Sequence, residues 1–208
     1  MAHTAGSNFP MAPANPAGDG ASKTMAVPID TSMTELRNGD VMCTVQATGY
    51  PAANNTADGR STDDVIMGIA LLPGTGEVSV TATPDTDAQP GPNTAGTIDV
   101  VNIALALPGA FFLGNIVAGA NDETGVAADN LRQTQEIFES DQGHACLDQT
   151  QTAGDLVAMV LEYTSPQYLV ASTRWQYGRL AGVGIINPRA RFCFLTEATI
   201  FGSSLPIA

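Results

Sequence analysis

Arg189-Ala-Arg-Phe-Cys-Phe-Leu-Thr-Glu-Ala-Thr-Ile-Phe201 decides the fold class. Ala190, Phe192, Phe194 and Thr196 alternate with Arg191, Cys193, Leu195 and Glu197. Successive side chains of an extended chain point to opposite faces, so this period predicts a last strand with these two sets on its two faces. Upstream, Tyr168 to Tyr177 alternates in the same way, with Leu169, Ala171, Thr173 and Trp175 against Val170, Ser172 and Arg174. Asp155 to Tyr163 carries Leu156, Val157, Met159, Val160 and Leu161 and predicts another strand. The apolar run from Val100 to Val117 is interrupted by Asn102, Pro108, Gly109, Gly114 and Asn115. A membrane helix needs about 18 uninterrupted apolar residues, so the run predicts two strands, 97–107 and 110–117, around a Pro108-Gly109 turn.

Toward the N-terminus the same signals recur. Asn38-Gly39 is a turn signal, and Val41 to Thr48 alternates as a strand. Val65 to Leu72 is a buried-strand run between the polar loop Tyr50–Asp64 and Pro73-Gly74. Glu77 to Thr83 alternates again, and Pro84 to Gly96 is a turn-rich loop. Thr124 to Ser140 is the one stretch suited to a helix, through Gln135, Glu136 and Glu139, with a short helix or turn expected near 126–132. The stretch 141–154 is polar and contains glycine, and Gly178 to Pro188 is a glycine-rich connection. About eight short strands joined by turn-rich loops predict a mainly β fold, a small barrel or sandwich with long loops and at most one or two short helices.

Residues 1–28 read differently. They are rich in Ala, Pro, Gly, Asn and Ser, and Pro10, Pro13, Pro16 and Pro28 interrupt regular hydrogen bonding. They predict an extended N-terminal arm, with Phe9, Met11 and Met25 as its apolar anchors, ahead of a single β-rich domain over 29–208. The start has no basic region followed by an apolar one, so no secretion signal is expected. Cys43, Cys146 and Cys193 are distant and odd in number, which predicts free thiols in a reducing cytoplasm. The Asn54-Asn55-Thr56 sequon is a chance match on this reading.

Composition limits the partners. Among 208 residues, 21 are acidic and 8 basic, for a net charge of −13, and Lys23 is the only lysine. A nucleic-acid binder needs a basic face against phosphate, and a peripheral binder of anionic membranes needs a basic patch, so neither partner is expected. Hydrophobic residues make up 44% of the chain, enough to supply a core and exclude wholesale disorder. The charge is also polarised. Acid gathers in loops at 58–64, 85–87, 122–129 and 136–148, whereas Arg174, Arg179, Arg189 and Arg191 lie in the C-terminal portion. The expectation is that the acidic loops face solvent and the arginine-bearing strands face a protein partner.

A search for chemistry finds no signature. There is no Gly-x-Ser-x-Gly elbow and no phosphate loop; Gly74-Thr-Gly76 and Gly182-Val-Gly184 do not join a strand to a helix as such loops require. His144 and Cys146 could supply two zinc ligands, with Cys43 or Cys193 completing a set only if the fold brings them there, and the simpler account is a surface-loop histidine beside a buried thiol. Asp63-Asp64, Asp85-x-Asp87 and Asn121-Asp-Glu123 match no calcium loop and read as solvated charge. Trp175 with Tyr177 could form a carbohydrate platform, although burial of the indole in a core is simpler. The chain is therefore expected to be no enzyme and to need no cofactor or metal.

The order of the remaining motifs resembles a known family. Asn38-Gly-Asp-Val is followed by Thr97-Ile-Asp-Val and Pro108-Gly-Ala-Phe-Phe-Leu-Gly-Asn. A polar segment with Gly125 to Asp129 comes next, then the apolar strand Leu156 to Tyr163, and finally Asn187-Pro-Arg-Ala-Arg-Phe-Cys-Phe-Leu-Thr-Glu. Over residues 36–202 this is similar to the decoration, or cement, proteins of tailed-phage capsids. The long loops at 49–64 and 84–96 and the N-terminal arm depart from that pattern. The resemblance implies a virion structural protein, a homo-oligomer and most often a trimer. It would be made in the host cytoplasm, sit on the outer capsid surface and clamp neighbouring major capsid protein subunits. The competing readings are another virion component (tail-tube, connector or minor capsid protein) and a carbohydrate-binding β-sandwich.

Overall fold

The computed structural model describes residues 11–14, 22–30, 33, 35–57, 64–72, 80–82, 97–98, 100–117, 134–139, 144–148, 156–163, 179–180, 184–185 and 189–202. In chain order their strands are β1 (Ala12–Ala14), β2 (Thr24–Pro28), β3 (Glu35–Leu36), β4 (Val41–Thr44), β5 (Pro51–Ala53), β6 (Ile66–Leu71), β7 (Val80–Ala82) and β8 (Thr97–Ile98). There follow β9 (Val100–Leu105), β10 (Phe111–Val117), β11 (Thr134–Glu139), β12 (Ala145–Asp148), β13 (Ala158–Tyr163), β14 (Arg179–Leu180), β15 (Gly184–Ile185) and β16 (Arg189–Phe194). The mainly β fold expected from the alternation is the fold observed: a small closed barrel with a second sheet packed on it.

The barrel is the ring β10-β12-β11-β13-β16, closed by pairing of β16 back onto β10. Only β10 and β12 run parallel; the other pairs are antiparallel. Closure removes the unpaired edges that an open sheet would expose. The alternation of β16 sends Phe192 and Phe194 inward, where they meet Phe112 of β10. The ring centroids lie 5.8 Å (Phe112–Phe192), 5.1 Å (Phe112–Phe194) and 5.2 Å (Phe192–Phe194) apart. The last two pairs meet edge to face, the arrangement the aromatic quadrupole favours. Ile116, Ile137, Leu147 and Val160 complete the interior.

The second sheet has the order β2-β9-β6-β4-β5. Its strands β4 and β6 are covered on both faces. All four residues of β4 are buried, as in a sheet that packs on two sides. One face, with Val41, Cys43, Ile66, Ile69 and Ala104, shares a core with the barrel. The other, with Met42, Met67, Ala70, Val101 and Ile103, packs on Ile29, Met33 and Leu36. Ile66 and Ile69 reach the same face because a β-bulge interrupts the pairing: Met42 sits opposite Gly68, but Cys43 sits opposite Ile66. Among the described residues the remaining pairings are the three-stranded β3-β7-β8 and the antiparallel pair β14-β15.

Three connections tie barrel and sheet together. Ala12–Ala14 of the N-terminal segment pairs antiparallel with β10 of the barrel, and its neighbour Met11 is buried in the shared core. Thr24–Pro28 pairs antiparallel with β9 of the sheet. After β16, Ile200 N–H donates to the Ile66 carbonyl at 3.0 Å. The Asn38-Gly39 turn forms as expected. Gly39 takes φ +86°, and Asp40 N–H donates to the Arg37 carbonyl at 3.3 Å.

Several local expectations are corrected. Residues 134–139, part of the stretch suited to a helix, form β11, because pairing with β12 and β13 outweighs the helical preference of Gln and Glu. The stretch 141–154 contains the fully buried strand β12. The last strand stops at Phe194, where Leu195 N–H turns to the Val157 carbonyl and Thr196–Ala198 makes a 3-10 turn. The first strand stops at Thr44, and both Thr48 and Gly49 N–H donate back to the Val45 carbonyl. The expected helix at 126–132 and strand at 168–177 lie outside the described residues.

Candidate partner-binding face

The outward side of β16 carries Arg191 and Cys193, because Phe192 and Phe194 occupy the barrel interior. Arg191 stands opposite Leu113 of β10 on one side and Glu162 of β13 on the other. Its Nη2 donates to Glu162 Oε2 at 2.8 Å, and its guanidinium carbon lies 5.5 Å from the centroid of the Phe111 ring. The pair is only partly shielded, with side-chain exposures of 26% for Arg191 and 48% for Glu162. The ion pair therefore contributes about 0–1 kcal/mol, and the ring stacking about 0.5–1 kcal/mol. Together they place the guanidinium between the Glu162 carboxylate and the Phe111 ring on the barrel wall.

Phe111, Leu113, Met159 and Cys193 are partly exposed around that guanidinium. The result is an apolar strip across three adjacent strands with one fixed cation and one carboxylate at its centre. Burial pushes the Cys193 thiol above its ordinary range. That shift disfavours the thiolate at neutral pH.

A second polar cluster lies at the start of β4. Asp40 is buried and accepts from Arg37 N–H at 2.7 Å and from Asn55 Nδ2 at 3.0 Å. Asn55 Oδ1 in turn accepts from Val41 N–H at 2.9 Å. Asp40 and Asn55 thus fasten the 54–57 loop to the strand. Burial raises the Asp40 carboxyl above its usual range; the two hydrogen bonds and Arg37 oppose the shift, and Glu139 of β11 adds to it. Asp30 is also buried and accepts from the Thr48 hydroxyl.

The arginines and anchors singled out in the sequence separate into distinct places. Arg189 and Arg191 share β16, with Arg189 opposite Asn115 in the ladder. Arg179 lies in β14, opposite Ile185 of β15. Met11 is a core residue and Met25 is exposed on β2. Phe9 and Arg174 lie outside the described residues, as do Trp175 and Tyr177. His144 is buried rather than in a surface loop, and Cys146 is buried two residues on. Asp148, counted with the solvent-facing acids, is buried too. Among the described residues no three His, Cys, Asp or Glu side chains gather as a metal site. No helix among them is long and apolar enough to cross a membrane.

Sequence reasoning missed Glu162 as the partner of Arg191. Simple alternation puts Glu162 on the same face as Val160, inward. A register shift between Val160 and Glu162 turns it outward. It also missed Asn55, for which the only signal was a polar residue in a loop. Compared with family models, curated proteins and solved structures, the chain matches none.

Proposed function

We propose that the chain is a virion structural protein that decorates the outer surface of a tailed-phage capsid and clamps neighbouring major capsid protein subunits. The observation that carries this reading is the barrel face built on Phe111, Leu113, Arg191 and Glu162. It pairs a partly exposed apolar strip with a guanidinium held in place before any partner arrives. Such a surface buries apolar area on docking and loses little side-chain freedom in doing so.

The construction of the body also supports the reading. A clamp must resist shear between the subunits it bridges. Here one N-terminal segment contributes strands to both the barrel and the second sheet, so separating them loads whole ladders of hydrogen bonds at once. The motif order from Asn38-Gly-Asp-Val to Asn187-Pro-Arg agrees with that role.

The test is electron cryomicroscopy of capsids with and without the protein, using the wild type and an Arg191→Glu, Leu113→Glu double variant. Wild-type density on the outer surface, lost in a folded double variant, is the expected result. A wild type that leaves the outer surface bare, or a variant that decorates equally well, rejects the reading.

A further inference from the structure

Among the described residues the N-terminal strand β2 pairs on one edge only, with β9, and the polarity of its other edge follows from those hydrogen bonds. Leu105 N–H donates to the Lys23 carbonyl at 2.9 Å, and the ladder continues with Met25 opposite Ile103 and Val27 opposite Val101. In an antiparallel pair the residues that face the partner strand alternate. Lys23, Met25 and Val27 therefore turn their backbone groups toward β9, and Thr24, Ala26 and Pro28 turn theirs outward. The opposite side of β9 confirms the phase, since Ala106 N–H donates away from β2 to the Met67 carbonyl at 2.9 Å. Pro28, which has no N–H, stands at an outward position and costs the internal ladder nothing. Thr24, Met25 and Ala26 are all exposed.

We propose that β2 is the seam of a two-fold homodimer, pairing antiparallel with the same strand of a second copy about Ala26. In that register Ala26 N–H donates to the carbonyl of the partner's Ala26, and the partner's Ala26 returns the bond. Thr24 N–H donates to the carbonyl of the partner's Pro28, again in both directions. A register centred on Pro28 has no donor at its centre, and one centred on Thr24 runs beyond the strand. The 26-centred pairing keeps every bond within β2.

Side chains favour the same occupant. Met25 and Val27 lie on the sheet face that holds Ile103 and Val101, and Met25 is 37% exposed at its rim. The two-fold register sets Met25 directly beside the partner's Val27, which extends that core across the seam. Charge points the same way. The chain carries −13, yet the segment 22–29 holds its only lysine, Lys23, and no acid. Approach along this edge therefore sets no carboxylate of the segment against its copy. A seam this short gives weak association, with a dissociation constant on the order of micromolar, and moderate salt should strengthen it by screening the net charge.

The seam does not depend on the proposed capsid role, and its test needs no capsid. The mass of the full chain is measured by light scattering and native mass spectrometry from low to high micromolar concentration. Two variants are compared with it. Ala26→Pro removes the central outward donor and leaves the bonds to β9 intact; Met25→Glu places a charge at an exposed position. Circular dichroism establishes that each variant is folded, and Met25→Glu alone decides if Ala26→Pro unfolds. A mass of twice 21.4 kDa for the wild type, with dissociation about tenfold or more easier in the folded variants, is expected. A single-chain mass throughout, a three-chain mass, or a dimer that neither variant weakens overturns the proposal.

Discussion

Replacing Gly68 by alanine strikes the bulge at the centre of the second sheet. A Cβ at this position falls well inside contact distance of the Ala104 carbonyl oxygen, and also 2.9 Å from the Ala104 carbonyl carbon and 2.8 Å from Ile103 Cγ2. The obstacle is backbone, not the flexible end of a side chain, so β6 and β9 must move apart. Forcing extra atoms into a packed core costs about 1–3 kcal/mol, and this site lies at the upper end because both sheet faces are filled. Separation also weakens ladder bonds such as Ala106 N–H to the Met67 carbonyl, each worth about 1 kcal/mol. Alanine returns about 0.5–1 kcal/mol by restricting the unfolded chain. The net loss is about 3 kcal/mol, or roughly 6–12 °C in melting temperature for a chain of this size. Urea unfolding followed by circular dichroism measures it. Gly109→Ala is the control: it has φ +82° and nothing within 4 Å of the added Cβ, so only the left-handed backbone is strained, at about 1–2 kcal/mol. A Gly68→Ala loss below about 1 kcal/mol, or one no larger than the control, refutes the steric reasoning.

Other perturbations separate the remaining forces. Phe192→Ala removes one ring of the aromatic trio and should cost about 3–5 kcal/mol in the same urea assay. Asp40 has a folded pKa above its ordinary value of 3.8, so its contribution to stability is fully present below that pH and is lost as pH rises through the raised folded value. Stability of the wild type should accordingly fall over that acidic window relative to Asp40→Asn, whose profile should be flatter when both are unfolded by urea across a pH series. Arg191→Met should change stability by no more than about 2 kcal/mol, the most that the partly exposed ion pair and the contact with the Phe111 ring together supply, while the capsid-decoration assay should register a clear loss.

What the residues disclosed follows the physics of each strand. Phe192 and Phe194 were legible because β16 has one wet face and one dry face, which makes alternation visible. β12 was not, because Ala145, Cys146, Leu147 and Asp148 are all buried and a strand covered on both sides loses its period. β11 was misread because Gln135 and Glu136 suit a helix in isolation, and the partners that make them a strand are distant in sequence. β1 and β2 hid behind their prolines, which sheet edges tolerate and sequence rules treat as breakers. Of the candidate face, Arg191 could be read from its position opposite two phenylalanines. Glu162 could not, since a register shift of one residue is invisible to a period of two.

The N-terminal strands have a consequence for synthesis. Ala12–Ala14 cannot dock until Phe111–Leu113 has left the ribosome, and the barrel wall they dock on closes only when Arg189–Phe194 is made. At roughly 5–20 residues per second, the first strand waits on the order of ten seconds for its partner and longer for the finished ring. During that wait a neutral, proline-punctuated segment is a safer passenger than a hydrophobic one, because it offers little for other nascent chains to bind. The composition that made residues 1–28 look like a loose arm is the composition that lets early strands remain soluble until the last one arrives.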